Sequence, residues 1–198
     1  QEKPVCVLVH DYHLYLVPGF VREELPDAVI QHFVHIPWPA TSYWDLLPGY
    51  IRRGICGSLC SADIVAFQTQ RDGMSFLQTC DEFLPDSCVD YAARSVAVNG
   101  RTTVVQAYPL SINVDEVRHI ATSPRAQSSE LQLQELPGEK TIVRVDRAEP
   151  NKNILRGFRS YQVLLERHPE LIEHVKFLAF LVPSRTHIRQ YQRYLEEI

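Results

Sequence analysis

The chain has 198 residues, 45% of them hydrophobic, with 20 Lys and Arg against 24 Asp and Glu and a formal net charge of −4. That is enough apolar material for one large core or two small ones, and a slightly acidic balance with mixed signs excludes the basic field that duplex nucleic acid requires. The longest strictly apolar run, Phe177 to Val182, is far short of the roughly 20 residues needed to cross a bilayer, and the N-terminus has no basic stretch ahead of an apolar one. The expectation is therefore a soluble, cytoplasmic protein with neither nucleic-acid nor membrane partners.

In chain order, PVCVLVH (4–10), AVIQHFVHI (28–36) and DIVAFQ (63–68) read as strands, separated by segments whose apolar residues recur at helical spacing. This alternation predicts a parallel sheet covered by helices, and a strand apolar on both faces, such as 4–10, belongs inside such a sheet rather than at its edge. Asp72-Gly73-Met74 reads as the start of a helix. Between residues 93 and 108 the pattern changes to two β-rich runs around Asn99-Gly100, a strong hairpin signal, predicted as a decoration of the sheet. Residues 121–140 are polar and carry two prolines, although SSELQLQEL has the composition of a short helix behind Ser caps. The division that follows is 1–122 as one domain, 123–139 as a linker and 140–198 as the start of a second. In that second part TIVRVD (141–146) and VKFLAFLV (175–182) are strands flanking a helix at 153–168, with Ile154, Phe158, Tyr161 and Leu165 on one face. One more helical segment runs from Arg185. Two strands make a thin layer, so this domain reads as incomplete.

The five cysteines, Cys6, Cys56, Cys60, Cys80 and Cys88, form no CxxC pair and read as reduced, buried core residues. Chemistry is sought after each strand, because open α/β sheets bind ligands beyond the strands' carboxyl ends. Four places qualify: His10-Asp11-Tyr12-His13, His35-Ile36-Pro37-Trp38-Pro39, Arg147 to Lys152, and Pro183-Ser184-Arg185. Arg147 and Lys152 bracket a strand-to-helix loop, where helix N-terminal amides favour an anion, and a guanidinium with an ammonium suits a diphosphate. Their plain alternative is a solvated surface pair. Asp11 is placed to accept a ligand hydroxyl or act as a base, the alternative being a helix N-cap. A metal held by Asp11 and His13 would need further ligands that FQTQ and YPLS do not supply. His32 and His35, three apart, fall on opposite faces of a strand, which leaves His35 alone at the strand end.

HDYH (10–13), HIPWP (35–39), DIVAFQT (63–69), YP-x-x-I (108–112), R-x-x-x-x-K (147–152) and PSR (183–185) stand in the order and spacing of the trehalose-6-phosphate synthase family, which the chain resembles over nearly its whole length. The resemblance implies an α/β fold of GT-B type with two Rossmann-like parallel-sheet domains, both incomplete in this chain, whose 198 residues by themselves are not expected to turn over substrate. It implies a retaining glycosyltransferase that moves glucose from a nucleotide sugar, normally UDP-glucose, to a sugar phosphate, forming trehalose 6-phosphate. Arg147 and Lys152 would grip the diphosphate and stabilise the leaving nucleotide. His35 and Ile36 would lie beside the donor glucose, and Asp11 and Arg185 would bind the acceptor's hydroxyl and phosphate. No metal and no cofactor are implied, and the resemblance leaves room for a homo-oligomer. The family's usual residues differ at four points: an Asp where Glu149 stands, a Gly at Asn153, a Phe at Trp38 and a Gly at Ser111. Acceptor identity is correspondingly open between trehalose 6-phosphate formation, glucosylglycerol-phosphate synthesis and pseudo-disaccharide synthesis, with a non-catalytic sugar-phosphate-binding homologue as a further alternative.

Overall fold

The computed structural model describes residues 5–198 and divides into two compact units, Gln1–Ile112 and Asn113–Ile198. In the first, β1 (Cys6–His10) leads through a 3₁₀ turn at Tyr12–Leu14 into α1 (Val17–Glu24); β2 (Val29–Val34), α2 (Thr41–Trp44), α3 (Gly49–Leu59), β3 (Ile64–Phe67) and α4 (Gln70–Phe83) follow. Three further strands, β4 (Ser87–Asp90), β5 (Ser95–Val98) and β6 (Arg101–Ala107), complete a six-stranded sheet of order β1-β2-β3-β6-β5-β4. Strands β1, β2, β3 and β6 are parallel, while β5 and β4 add antiparallel. Pro4, the expected first residue of the first strand, lies outside the described residues.

Asn99 and Gly100 both have positive φ, 52° and 76°, as a two-residue hairpin whose twist matches its strands demands. The hairpin is not a decoration, however. Its second strand, β6, is interior and pairs with β3 from Ile64↔Val104 to Phe67↔Ala107, because Thr103 and Val105 are buried there and the Thr103 hydroxyl reaches the carbonyls of Cys60 and Ala62 at 2.8 and 2.7 Å. Strand β4, short and half-exposed, gives too little periodicity to be read from the sequence. Strand β1 ends the sheet among the described residues, and its apolar side chains stay uncovered there, Leu8 being 63% exposed.

The core of this unit centres on Trp38, stacked on Trp44 at 4.6 Å and set edge-on to Phe76 at 5.1 Å. A buried indole N–H needs a partner, and Trp38 Nε1 donates to Thr79 Oγ1 at 3.0 Å. Its backbone N–H donates to Asp72 Oδ1, also at 3.0 Å. Asp72 lies in the first turn of α4, and its own N–H is capped by Thr69 Oγ1, so Asp72-Gly73-Met74 does open a helix. Cys56, Cys60 and Cys80 are buried as expected, whereas Cys6 and Cys88 are exposed because they sit on edge strands; all five are free thiols.

The second unit holds α5 (Val114–Ala121), α6 (Pro124–Gln134), β7 (Lys140–Ala148), α7 (Ile154–Arg167), β8 (Val175–Pro183) and α8 (Arg189–Glu197). The stretch read as a linker, 123–139, is thus helical over Pro124–Gln134; Pro124 opens the helix and Ser123 Oγ accepts from the Ala126 N–H at 3.3 Å. Strands β7 and β8 pair in parallel from Lys140↔Val175 to Ala148↔Pro183. The expected α7 face is present: Phe158 and Tyr161 pack on Phe177 at 5.5 and 5.4 Å, and Ile154 is fully buried. Gly157 leaves room for Arg144, whose Nη1 lies 2.5 Å from where a Cβ would stand, so a side chain there would push the guanidinium aside. No helix among the described residues is long and apolar enough to cross a membrane.

Candidate active site

In the first unit the register His10↔Phe33 brings the carboxyl ends of β1 and β2 side by side. Asp11, the residue after β1, has φ 68° and ψ 171°, a region populated almost only by glycine and costing other residues about 1–3 kcal/mol. The conformation is pinned on both sides: the Asp11 N–H donates to Phe33 O at 2.7 Å, and its carbonyl accepts from Leu14 N–H at 3.2 Å and from His32 Nε2–H at 3.1 Å. Asp11 occupies the N-cap position of the Tyr12–Leu14 turn, yet its side chain makes no capping bond. The carboxylate oxygen Oδ1 is instead buried with no hydrogen-bond partner among the described residues. A desolvated carboxylate oxygen without a donor is costly, and a ligand hydroxyl would satisfy it.

His32, weighed in the sequence only as a metal partner for His35 and set aside, is the residue beneath this turn. It is fully buried, and burial lowers its pKa from 6.5 to about 4, against an opposing pull from its bond to the Asp11 backbone. Neutral His32 therefore contributes stability that is complete above pH 6.5 and is lost as pH falls towards 4, because the unfolded chain takes up the proton first. Urea denaturation at pH 7 and pH 5 is expected to show about 2 kcal/mol more acid destabilisation for the wild type than for His32→Gln, which cannot titrate. Equal pH slopes for the two would contradict this. Next to His32, burial and then the Asp11 carboxylate push the Tyr15 phenol upward, so it stays protonated.

His35 and Ile36 follow β2 directly and are exposed. His35 is not alone at the strand end: its Nε2 lies 3.0 Å from His10 Nδ1, with the two rings stacked at 5.3 Å. Tyr12 and His13 form the outer wall, beside an open groove of about 430 Å³ that Tyr15, Tyr50, Ile51 and Ile55 also line. Among the described residues no group of three or more His, Cys, Asp or Glu side chains is arranged to hold a metal ion.

In the second unit, Arg147 belongs to β7 rather than to the loop after it, because the β7–β8 ladder runs on to Ala148. Its side chain is 61% exposed, and Nη1 stands 3.4 Å from Oε1 of the buried Glu149. The same oxygen accepts from Ser184 Oγ at 2.8 Å, tying the ends of β7 and β8 together. Lys152 ends a 3₁₀ turn and its Nζ is 3.9 Å from Asp146 Oδ1, while Asp146 Oδ2 accepts from Arg144 Nε at 3.0 Å. Each cation thus has an acidic group behind it and exposed surface in front. Helix α7 starts two residues after Lys152; its N-cap, Asn153, makes no side-chain capping bond, while the Ile154 N–H donates to the Tyr194 hydroxyl at 2.9 Å, so the next amides, of Leu155 and Arg156, are the ones left for an anion. Arg185, after β8, has φ 51° and its Nη1 donates to Tyr191 OH at 3.1 Å, with the guanidinium 5.5 Å from that ring's centroid. Asp11, His35 and Ile36 therefore follow the adjacent ends of β1 and β2 in one unit, and Arg147, Lys152 and Arg185 stand at or just after the paired ends of β7 and β8 in the other.

A family profile for glycosyltransferase family 20 matches residues 2–198. The chain belongs to glycosyltransferase family 20. Among its relatives, an alpha,alpha-trehalose-phosphate synthase [UDP-forming] of Pichia angusta is 32% identical over 94% of this chain and 40% of the relative. Validamine 7-phosphate valienyltransferase of Streptomyces hygroscopicus is 33% identical over 100% of this chain and 39% of the relative. A crystal structure of an alpha,alpha-trehalose-phosphate synthase (UDP-forming) from Burkholderia xenovorans in complex with glucose-6-phosphate superposes with a TM-score of 0.77 at 26% identity, covering 100% of this chain and 42% of that one. The chain thus spans about 40% of the length of the curated relatives it matches.

Two departures from the usual family 20 residues find a physical account. Asn153 is left-handed, φ 56° and ψ 40°, a conformation in which glycine is unstrained and Asn is the best-tolerated substitute. Asn153→Ala is expected to destabilise the protein by about 1–2 kcal/mol and Asn153→Gly to be nearly neutral, read as shifts in the urea midpoint; an Ala variant as stable as wild type would contradict the assignment. Glu149 is long enough to reach both Arg147 and Ser184. Nothing in the structure explains Ser111.

Proposed function

We propose that the whole protein carrying this chain is a cytoplasmic retaining glycosyltransferase that transfers glucose from UDP-glucose to a sugar phosphate, forming trehalose 6-phosphate. The observation that carries the reading is the pair Arg147 and Lys152, each steadied from behind by a carboxylate, just ahead of the N-terminus of α7. Two cations and a helix N-terminus suit the diphosphate of a nucleotide sugar and stabilise the charge that grows as the nucleotide departs. Asp11 would accept a hydrogen bond from the acceptor's attacking hydroxyl, Arg185 would meet the acceptor's phosphate, and His35 with Ile36 would border the donor glucose. The departing phosphate oxygen takes the hydroxyl's proton, so no separate base is required. The first unit would then form the rear part of an acceptor-side domain and the second the opening of a nucleotide-sugar domain. Five free thiols accord with a reducing compartment.

The family-level support is the Pichia angusta relative, whose name specifies UDP formation. A second acceptor class is favoured by the valienyltransferase relative, which is equally similar: a phosphorylated cyclitol amine in place of a sugar phosphate. Incubation of the whole protein with UDP-glucose and a panel containing glucose 6-phosphate, glycerol 3-phosphate and validamine 7-phosphate, with UDP release measured, separates these. Release with glucose 6-phosphate and retention of the α configuration are expected; no release with any acceptor would overturn the reading.

A further inference from the structure

His10 is exposed, ends β1 and has no role in the site as described so far except through His35. Its Nδ1 faces His35 Nε2 at 3.0 Å, the rings are nearly parallel at 27°, and Phe33, which is buried, packs against both at 6.2 and 4.6 Å. The register that pairs His10 with Phe33, together with the Asp11 N–H bond to Phe33 O, fixes both strand ends. The contact is therefore set by the sheet.

A hydrogen bond between two imidazoles needs one N–H and one bare nitrogen, and each neutral ring carries a single N–H. If His10 Nδ1–H donates, His35 Nε2 is bare and His35 must carry its hydrogen on Nδ1. If His35 Nε2–H donates, its Nδ1 is bare. Since His35 Nε2 is taken, Nδ1 is the nitrogen left for a ligand, and His10 decides whether it donates or accepts. We propose that His10 is a positioning residue that fixes the tautomer and ring orientation of His35, and so sets the sense of the hydrogen bond His35 offers to the donor sugar. This rests on the proposed function in placing His35 beside the donor.

The experiment compares His10→Asn, His10→Gln and His10→Phe in the whole protein. An Asn amide nitrogen occupies the place of His Nδ1, whereas that of Gln reaches the place of Nε2. His10→Asn is expected to keep kcat within about threefold of wild type, while His10→Gln and His10→Phe lose about tenfold, the equivalent of one hydrogen bond, with KM for the acceptor unchanged. A role in packing alone predicts that Phe and Gln do as well as Asn, and that result would overturn the proposal. Independently of activity, ¹⁵N shifts of His35 are expected to show one tautomer in wild type and His10→Asn and a mixture in His10→Phe; identical shifts in all three would likewise overturn it. A wild-type protein that transfers no glucose defeats the proposed function instead, and the ¹⁵N measurement still decides whether His10 governs His35.

Discussion

Replacing either Arg147 or Lys152 by alanine in the whole protein is expected to lower kcat by about 10²–10³-fold, the usual cost of removing one preorganised donor from a developing oxyanion, about 3–4 kcal/mol. The surroundings make Lys152 the cleaner of the two experiments. Arg147 projects from the end of β7 with most of its side chain exposed, and when it is removed Glu149 keeps its bond to Ser184. Lys152 is separated from Asp146 by 3.9 Å, and Asp146 retains Arg144 as its partner. Lys152→Ala leaves Asp146 paired with Arg144 and should melt within a few degrees of wild type, whereas Arg147→Ala leaves the buried Glu149 carboxylate with only the Ser184 hydroxyl and should melt measurably lower. Arg147→Lys should recover only part of the loss, because an ammonium cannot present the two parallel donors of a guanidinium to a phosphate. Variants with wild-type kcat would remove these cations from the reaction. Variants that unfold would show that they serve the fold.

Asp11→Gly is expected to do two opposite things: stabilise the protein and disable it. Asp11 is held at φ 68° and ψ 171°, where glycine is at ease and other residues bear about 1–3 kcal/mol of strain. Glycine's greater backbone entropy in the unfolded chain takes back about 0.5–1 kcal/mol, so a net gain of about 1–2 kcal/mol should appear as a higher urea midpoint. In the proposed reaction, loss of the carboxylate, whose Oδ1 is buried without a partner among the described residues, is expected to cost a charge-assisted hydrogen bond of about 1.5–3 kcal/mol. The value of kcat/KM for the acceptor should then fall about 10- to 100-fold. Asp11→Asn keeps the strain and the shape but not the charge, and should lose activity without gaining stability. A glycine variant that is both less stable and fully active would sink the assignment of Asp11.

Much of the architecture is legible in short stretches. Alternating apolar runs give the parallel strands, Asn99-Gly100 gives the hairpin between β5 and β6, and Thr69 with Asp72 gives the start of α4. These signals are local, since backbone periodicity and turn chemistry act within a few residues. The misreadings are equally instructive. The hairpin's place inside the sheet depends on which strand β6 meets, which periodicity along one segment does not encode. The helix at Pro124–Gln134 is legible only in part, from the Ser-led SSELQLQEL run within the linker, because it is polar and has no buried residue to fix its start.

The sequence by itself determined the residue types and the order in which they follow their strands: Asp11 and His35 in one unit, Arg147, Lys152 and Arg185 in the other, all where an α/β sheet collects ligands. Only the tertiary structure decided how those groups are held. It set Asp11 in a glycine-like conformation over His32, joined His10 to His35 across 25 residues, and hung Glu149 between Arg147 and Ser184 across 35. The reason is register: in a parallel pair each strand end meets a neighbour that is distant along the chain, so the contacts that orient a side chain at the rim come into being only when the sheet forms.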